Sequence, residues 1–329
     1  MTRLYGSSRE DLDSVAQRLC LGDLVALPTE TVYGLAGDAL REAVVRKIFE
    51  VKMRPFIDPL IVHVADLGQL ETIAETTPEL ERLSTAFWPG PLTVVLPKRP
   101  IVPDLVTAGL PTVAVRMPAH PVMRTVLQQS GLCLAAPSAN PFGYVSPTRA
   151  EHVTDSLSGR VEHVVDGGEC QHGIESTVVG LQDPARPSLL RPGPISHEQL
   201  EACLGREVGS APAHLDTQAH TAPGLLKKHY SPRVEVELLL HGFTVWPQET
   251  CSGQACVLFR RRKAGDVPSG VDLFWLTEDG SPSTAAHNLF ALLRRLDGLE
   301  GCGKVWIEEA PAGGLGDAIN DRLRRAAAR

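Results

Sequence analysis

Short apolar runs bounded by Pro or Gly alternate along this chain with stretches in which apolar positions recur every three or four residues. The runs predict strands and the recurrences predict helices. Leu24–Leu27, Leu60–Val64, Leu92–Leu96, Val113–Val115, Leu132–Ala136, Val161–Val165, Ser176–Leu181 and Ser188–Leu190 read as strands. A helix is expected from Ser8 to Leu21, with Glu10 and Asp11 in its first turn and Gly22 as its stop. Ala43–Val51 reads as another, with Val44, Ile48 and Val51 on one face, and Pro78–Trp88 and Pro121–Gln129 follow. Thr148-x-x-Glu151 and Ser196-x-x-Gln199 have the form of capping boxes and open two more. Strands and helices mix without strict alternation. The pattern predicts an α/β fold, a twisted mixed sheet with helices packed on it.

The periodicity stops between Gly205 and Pro232, a stretch rich in Ala, His, Pro, Gly and Thr that reads as a linker. Beyond it come apolar strands at Val234–Leu240, Ala255–Phe259, Leu273–Leu276 and Lys304–Ile307, and helices at Thr284–Leu296 and Asp317–Ala327. The expected organisation is a larger domain over 1–204, a linker over 205–232 and a small α/β domain over 233–329.

Composition narrows the class. The chain has 329 residues, 43% hydrophobic and 22% charged, values of a globular protein rather than a disordered one. Net charge is −7, and residues 1–205 carry 17 Lys+Arg against 24 Asp+Glu while 206–329 carry 15 of each. Neither half is a nucleic-acid clamp by bulk charge, so a cationic site must be assembled locally by folding. Seven cysteines without a Cys-x-x-Cys fit a reducing compartment better than a disulfide framework. The beginning of the chain shows no apolar signal region, and no apolar run approaches the roughly 20 residues of a membrane span. A cytoplasmic protein without membrane contact is expected.

Two stretches carry candidate chemistry. Pro28-Thr29-Glu30-Thr31-Val32-Tyr33-Gly34 is followed by Lys52-Met53-Arg54-Pro55, and Ala136-Pro137-Ser138-Ala139-Asn140 lies further on. Lys52 and Arg54 read either as an exposed helix end complementing the dipole or as a fork around one phosphate chain. Arg116 at a strand end and Arg191 in Leu190-Arg191-Pro192-Gly193 favour the fork. Ser138 and Asn140 read as turn formers or as phosphate contacts. His63, on a predicted strand, reads first as a hydrogen-bonded core residue. Neither a Gly-x-x-x-x-Gly-Lys-Ser/Thr loop nor a Gly-x-Gly-x-x-Gly fingerprint is present. Ala310–Gly316 reads as a tight strand-to-helix turn, and Arg260-Arg261-Arg262-Lys263 as a solvated basic loop or an RNA contact.

Taken in order, these segments resemble the YrdC-like threonylcarbamoyl-AMP synthase family in its two-domain form. The matching pieces include Leu27–Gly34, Lys52–Pro55, Pro59–Val64, Trp88–Leu96, Thr112–Pro118, Ala136–Asn140, Gly173–Val179, Leu190–Pro194 and Lys228-His229-Tyr230-Ser231-Pro232. The resemblance implies a YrdC-like sheet with a concave cationic face, plus a smaller Rossmann-like domain. It implies a cytoplasmic nucleotidyltransferase that makes threonylcarbamoyl-AMP and pyrophosphate from L-threonine, bicarbonate and ATP, with Mg²⁺ accompanying the ATP. The product would pass to a transferase that builds threonylcarbamoyladenosine in tRNA. Lys52, Arg54, Ser138 and Asn140 would form a catalytic tetrad around the phosphates. Arg54, Asp58, Thr112, Ser138, Ser146, Arg191 and Tyr230 would face ATP, with Tyr230 closing over the adenylate from the linker. Thr31, His63, Arg116, Ala136 and Ser176 would hold threonine.

On this reading Arg116 pairs bidentately with the threonine carboxylate. One position departs from the family pattern. Asp58 stands where an Asn is usual, and an ionised carboxylate there repels phosphates unless a cation neutralises it or the side chain turns away. Two other classes compete with the synthase: an RNA-binding module, disfavoured by the acidic balance, and a carbamoyl-transfer accessory domain, disfavoured by the lack of acylphosphatase-like and zinc-finger segments.

Overall fold

The structure, a computed structural model, describes residues 2–210, 230–245, 253–261 and 270–328. Most of the expected linker lies outside them, as do Lys228, His229, Cys251, Arg262 and Lys263. Eleven strands form one mixed sheet. Its middle six, in spatial order, are Gly34–Asp38, Leu134–Ala135, Ile61–His63, Thr112–Arg116, Leu92–Pro97 and Thr177–Gly180.

Alternation along these strands separates two faces, because successive side chains of a strand point to opposite sides. Leu92, Val94 and Leu96 join Val62, Val113 and Val115 in the main core under the helices. Ile61, Val95, Ala114, Val178 and Leu190 form a thin apolar floor on the opposite face. Burying each such side chain contributes roughly 1.5–3 kcal/mol, which fixes which face turns inward. The polar residues His63, Thr93 and Arg116 share the register of the floor. His63 pairs with Arg116 in a parallel ladder, and Thr93 pairs with Arg116 in an antiparallel one. A one-residue slip would send all three into the core.

Local signals account for the helix ends. The first helix runs Arg9–Leu21, with the Ser8 side chain accepting from Asp11 N and Gly22 at φ 91° as its stop. Both halves of the Ser196/Gln199 capping box are formed. The Thr148/Glu151 box is not. That helix, Ala150–Ser156, starts after Arg149 without a side-chain cap. Thr148 is fully buried, and its N–H donates to His152 Nδ1 at 3.2 Å, so tertiary packing overrides the local pattern.

The sequence reading lacks the strands Arg3–Tyr5, Gly34–Asp38 and Gly209–Ser210 and the short helices Leu67–Ile73 and Asp104–Thr107. The Gly-Leu-Ala-Gly-Asp strand looks like a turn but is paired on both sides, with Val25–Leu27 and Leu134–Ala135. Gly37 is needed there: a Cβ would stand 2.7 Å from Leu24 Cδ2 and 2.8 Å from Val44 Cγ1.

The second sheet has four parallel strands, in the order Glu235–Leu239, Lys304–Glu308, Gln254–Arg260 and Val271–Thr277. The helices Pro282–Asp297 and Leu315–Ala327 pack on it. Its core is continuous with the large sheet, because Val32, Val145 and Ile174 pack into the same cluster as Phe290 and Leu293. Arg294 donates to the carbonyls of Val145 at 2.5 Å and Ser146 at 3.3 Å. Tyr144 Oη donates to Asp297 at 2.8 Å. Gly173, at φ 71°, leaves room for this contact: a Cβ there would meet the His287 carbonyl oxygen at 2.4 Å.

Candidate active site

A cavity opens over the polar end of the floor, lined by Thr31, His63, Arg116, Ala136 and Ser176. Arg54, Ser138, Arg191, Glu175 and Tyr230 line it as well. Thr29 shapes the wall beside Arg116. Its hydroxyl accepts from the N–H groups of Thr31 and Val32, both at 3.1 Å, and donates to the Val32 carbonyl at 2.6 Å. This turn directs Glu30 and Thr31 at Arg116.

Arg116 is 3% exposed. Its Nη2 donates to Glu30 Oε1 at 2.5 Å, Nη1 to Thr31 Oγ1 at 2.9 Å and Nε to the Gly90 carbonyl at 3.3 Å. A guanidinium has five N–H donors, so two are left for a ligand among the described residues. The expected carboxylate anchor is therefore already half engaged, which holds the planar group in one orientation. Glu30 also accepts from Ala119 N at 3.0 Å. Burial pushes its pKa up, but the Arg116 charge and hydrogen bonds outweigh this and hold the carboxyl below its usual range.

His63 is 2% exposed. Burial first, and the Arg116 charge second, push its pKa from 6.5 down to about 3. The imidazole is neutral at pH 7. An unfolded chain takes up that proton as pH falls below 6.5, while the folded one resists it until about 3. Stability is thus expected to fall with pH across this window, by up to about 1.4 kcal/mol per unit for this group. Urea unfolding at stepped pH should show a shallower slope in His63→Asn. An unchanged slope would mean that His63 is already protonated in the folded protein.

The helix Glu42–Lys52 ends at Met53, in left-handed conformation at φ 54°, which sends Lys52 inward and Arg54 to the cavity. Lys52 is 1% exposed, so the exposed-helix-end reading fails. Its ammonium does not line the cavity. It donates to the carbonyls of Ser138 and Asn140, the latter at 2.5 Å, and ties their loop down from behind. Burial and then the Arg54 charge lower its pKa well below the ordinary lysine value. The Asn140 amide also holds the loop, donating to the carbonyls of Pro141 at 2.9 Å and Tyr144 at 2.8 Å. Of the four tetrad residues, Arg54 and Ser138 face the cavity, and Lys52 and Asn140 brace them.

Asp58 is fully buried and pairs with Arg54 Nη2 at 2.9 Å. Arg54 further donates to the carbonyls of Asp58 at 3.0 Å and Pro59 at 2.8 Å. The unusual acid is thus the partner of the cation beside it, off the cavity wall. Ser146 stands one layer back, its hydroxyl donating to Glu175 Oε1 at 2.6 Å. Arg191 donates to the Ser176 carbonyl at 3.0 Å and hydroxyl at 3.2 Å, and Thr93 Oγ1 lies 2.8 Å from Ser176 Oγ. Thr112 lies off the lining, at the start of the strand that Arg116 ends, a distance of about 13 Å at strand rise. Tyr230 is 1% exposed, its ring 5.3 Å from that of Phe290 of the second sheet's helix. Burial pushes its hydroxyl pKa up to about 12.

Glu30, Thr93, Glu175 and Arg322 are absent from the sequence-based site. Glu30 stands between Thr29 and Thr31, where a charged residue between small polar ones was a usable signal, and Glu175 stands beside Ser176 inside the matched Gly173–Val179 segment. Arg322 gives none. Among the described residues no three His, Cys, Asp or Glu are grouped to hold a metal ion. Of the basic run, Arg261 pairs with Glu278 and packs over Trp275. In the Ala310–Gly316 segment, Gly313 and Gly314 make the turn into the last helix. No described helix is long and apolar enough to cross a membrane.

Residues 17–193 match a family model described as telomere recombination, and residues 195–328 one described as the C-terminal domain of threonylcarbamoyl-AMP synthase. A threonylcarbamoyl-AMP synthase of Pyrococcus abyssi is 42% identical over 317 residues, 93% of this chain and 90% of that one. That of Bacillus subtilis is 40% identical over 320 residues, 93% of this chain and 89% of its own. A crystal structure of P. abyssi Sua5 complexed with L-threonine superposes with a TM-score of 0.87 at 37% identity, covering 99% of this chain and 98% of that one.

Proposed function

The chain belongs to the threonylcarbamoyl-AMP synthase family and is an enzyme of that class, and from that premise we propose that the cavity joins L-threonine, bicarbonate and ATP into threonylcarbamoyl-AMP. The observation that carries this reading is one cavity that gathers three buried arginines in different states. It holds an oriented Arg116 that keeps two N–H donors to spare among the described residues, in a lining shared with His63, Thr31 and Ser176. The same lining includes Arg54 and Arg191.

Threonine's carboxylate takes the remaining Arg116 donors. Its hydroxyl meets Thr31, Ser176 and the neutral His63, a setting that rejects amino acids lacking the hydroxyl because buried polar groups would stay unpaired. The amine condenses with bicarbonate, releasing water and giving a carbamate. A carbamate oxygen attacks the α-phosphorus of ATP, the bond to the bridging oxygen of the β-phosphate breaks, and pyrophosphate leaves. Such transfers depend on positioning and on stabilising the phosphoryl charge, which Arg54 and Arg191 supply. ATP enters as its Mg²⁺ complex, the ion bound to phosphate oxygens as is usual for Mg²⁺. The adenylate is a mixed anhydride, suited to transfer of the threonylcarbamoyl group to an adenosine of tRNA by a separate transferase. The setting is the cytoplasm.

The test is pyrophosphate release from ATP. It should require both threonine and bicarbonate, and 2-aminobutyrate, which lacks the hydroxyl, should support it far more weakly than threonine. No release, accompanied by salt-sensitive RNA binding, would replace this reading with that of an RNA-binding module.

A further inference from the structure

The last helix places one side chain directly behind the wall of the large sheet's cavity, against Glu175. Arg322 is 0% exposed. Its Nε donates to Glu175 Oε2 at 3.2 Å and its Nη2 to the Glu175 carbonyl at 3.3 Å. Its Nη1 donates to the Pro192 carbonyl at 2.6 Å and to Asp321 at 3.1 Å. The other Glu175 oxygen accepts from Ser146. The same guanidinium therefore engages the one acid that lines the cavity among the described residues and the peptide next to Arg191. It also lies 5.7 Å from the centre of the Tyr230 ring.

Glu175 is a difficulty for any polyanion bound between Arg54 and Arg191. A carboxylate with no cation beside it would repel the phosphates, because like charges brought together in a buried site are unfavourable. We propose that Arg322 is a positioning residue for the nucleotide end of the site: it neutralises Glu175 and, with Ser146, ties down both carboxylate oxygens, so that the second sheet's unit completes the charge balance of a cavity built on the first. This rests on the ATP-using reading above. It gives the second unit a task beyond docking, supplied from 147 residues away in the chain.

The experiment compares steady-state pyrophosphate release by the full-length wild type, Arg322→Met, Arg322→Lys, Glu175→Gln and the Arg322→Met/Glu175→Gln double variant. ATP and threonine are varied separately. Wild type without threonine-dependent release would overturn the function itself and is seen before any variant is read. Given that activity, Arg322→Met is expected to raise the ATP KM by about tenfold or more, with the threonine KM changed much less. Arg322→Lys, which keeps the charge, should stay within about threefold of wild type, and adding Glu175→Gln to Arg322→Met should return the ATP KM to that of Glu175→Gln alone. Equal rises for both substrates, or no rescue by Glu175→Gln, would show Arg322 to be only a docking contact. If Arg322→Met does not fold, the double variant decides. A folded double variant with the ATP KM of Glu175→Gln supports the proposal, and one that is unfolded or still impaired overturns it.

Discussion

Replacing Arg54 by alanine is expected to lower kcat/KM for ATP by about 10³-fold and to destabilise the fold by about 3 kcal/mol at the same time. The first effect follows from removing a guanidinium from the cavity wall, where the proposed reaction puts the phosphates. The second follows from its buried partner. Asp58 is 0% exposed and loses its 2.9 Å ion pair, and removing one member of a buried pair costs more than removing both. Read from the sequence, the substitution looks purely catalytic, because a Lys-x-Arg fork after a helix gives no sign that the acid four residues on is buried with it. The double variant Arg54→Met/Asp58→Asn separates the effects: it should regain most of the stability and none of the activity. Chemical denaturation and pyrophosphate release, measured on both variants, check this. Full stability in Arg54→Ala would mean that Asp58 is satisfied without it.

Arg116→Met is the second large expectation. Threonine should lose its carboxylate anchor, with a KM rise of about 100-fold or more, while the ATP KM changes little. Stability should also fall, because Glu30, 3% exposed, keeps only the Ala119 N–H and its own turn for company. The stability loss deepens with rising pH. Once Arg116 is gone, burial raises the Glu30 pKa, and the unfolded chain then ionises more readily than the folded one. Adding Glu30→Gln should restore stability but not threonine use. Calorimetric titration with threonine alone gives a readout independent of turnover. Threonine affinity within a few fold of wild type in Arg116→Met would remove that arginine from the site.

These expectations share one cause. Arg54, Arg116 and Arg322 are buried, and each is paired with a buried acid: Asp58, Glu30 and Glu175, with Asp321 a second partner of Arg322. A chain of net charge −7 builds a cationic cavity this way because a buried charge without a partner is too costly to hold. The acids also orient the guanidinium planes. The site is therefore set in position before any ligand arrives, which lowers the ordering cost of binding.

Much of the architecture is written in local pattern. Alternation in Leu92–Pro97 and Thr112–Arg116 assigns their faces, Ser8 and Gly22 bound the first helix, and the Ser196/Gln199 box forms as its spacing implies. Local pattern misleads where neighbours distant in sequence decide. The strand Gly34–Asp38 exists because it is paired on both sides, and Thr148 abandons its capping box for a buried contact with His152.

The candidate site divides in the same manner. By itself the sequence determined which segments would meet, because turn residues, strand ends and the Lys-x-Arg and Ser-x-Asn pairs are local and their order along the chain matches a family. It did not determine which way each side chain would face once there. Lys52 sits beside Arg54 in the chain, yet one ties a loop from behind and the other lines the cavity. Glu30 meets an arginine 86 residues away, and Glu175 one 147 residues away. Only the tertiary structure decided those matches. Desolvation is a property of the packed interior, and the choice of which charge is neutralised by which partner arises only when water has been excluded from both.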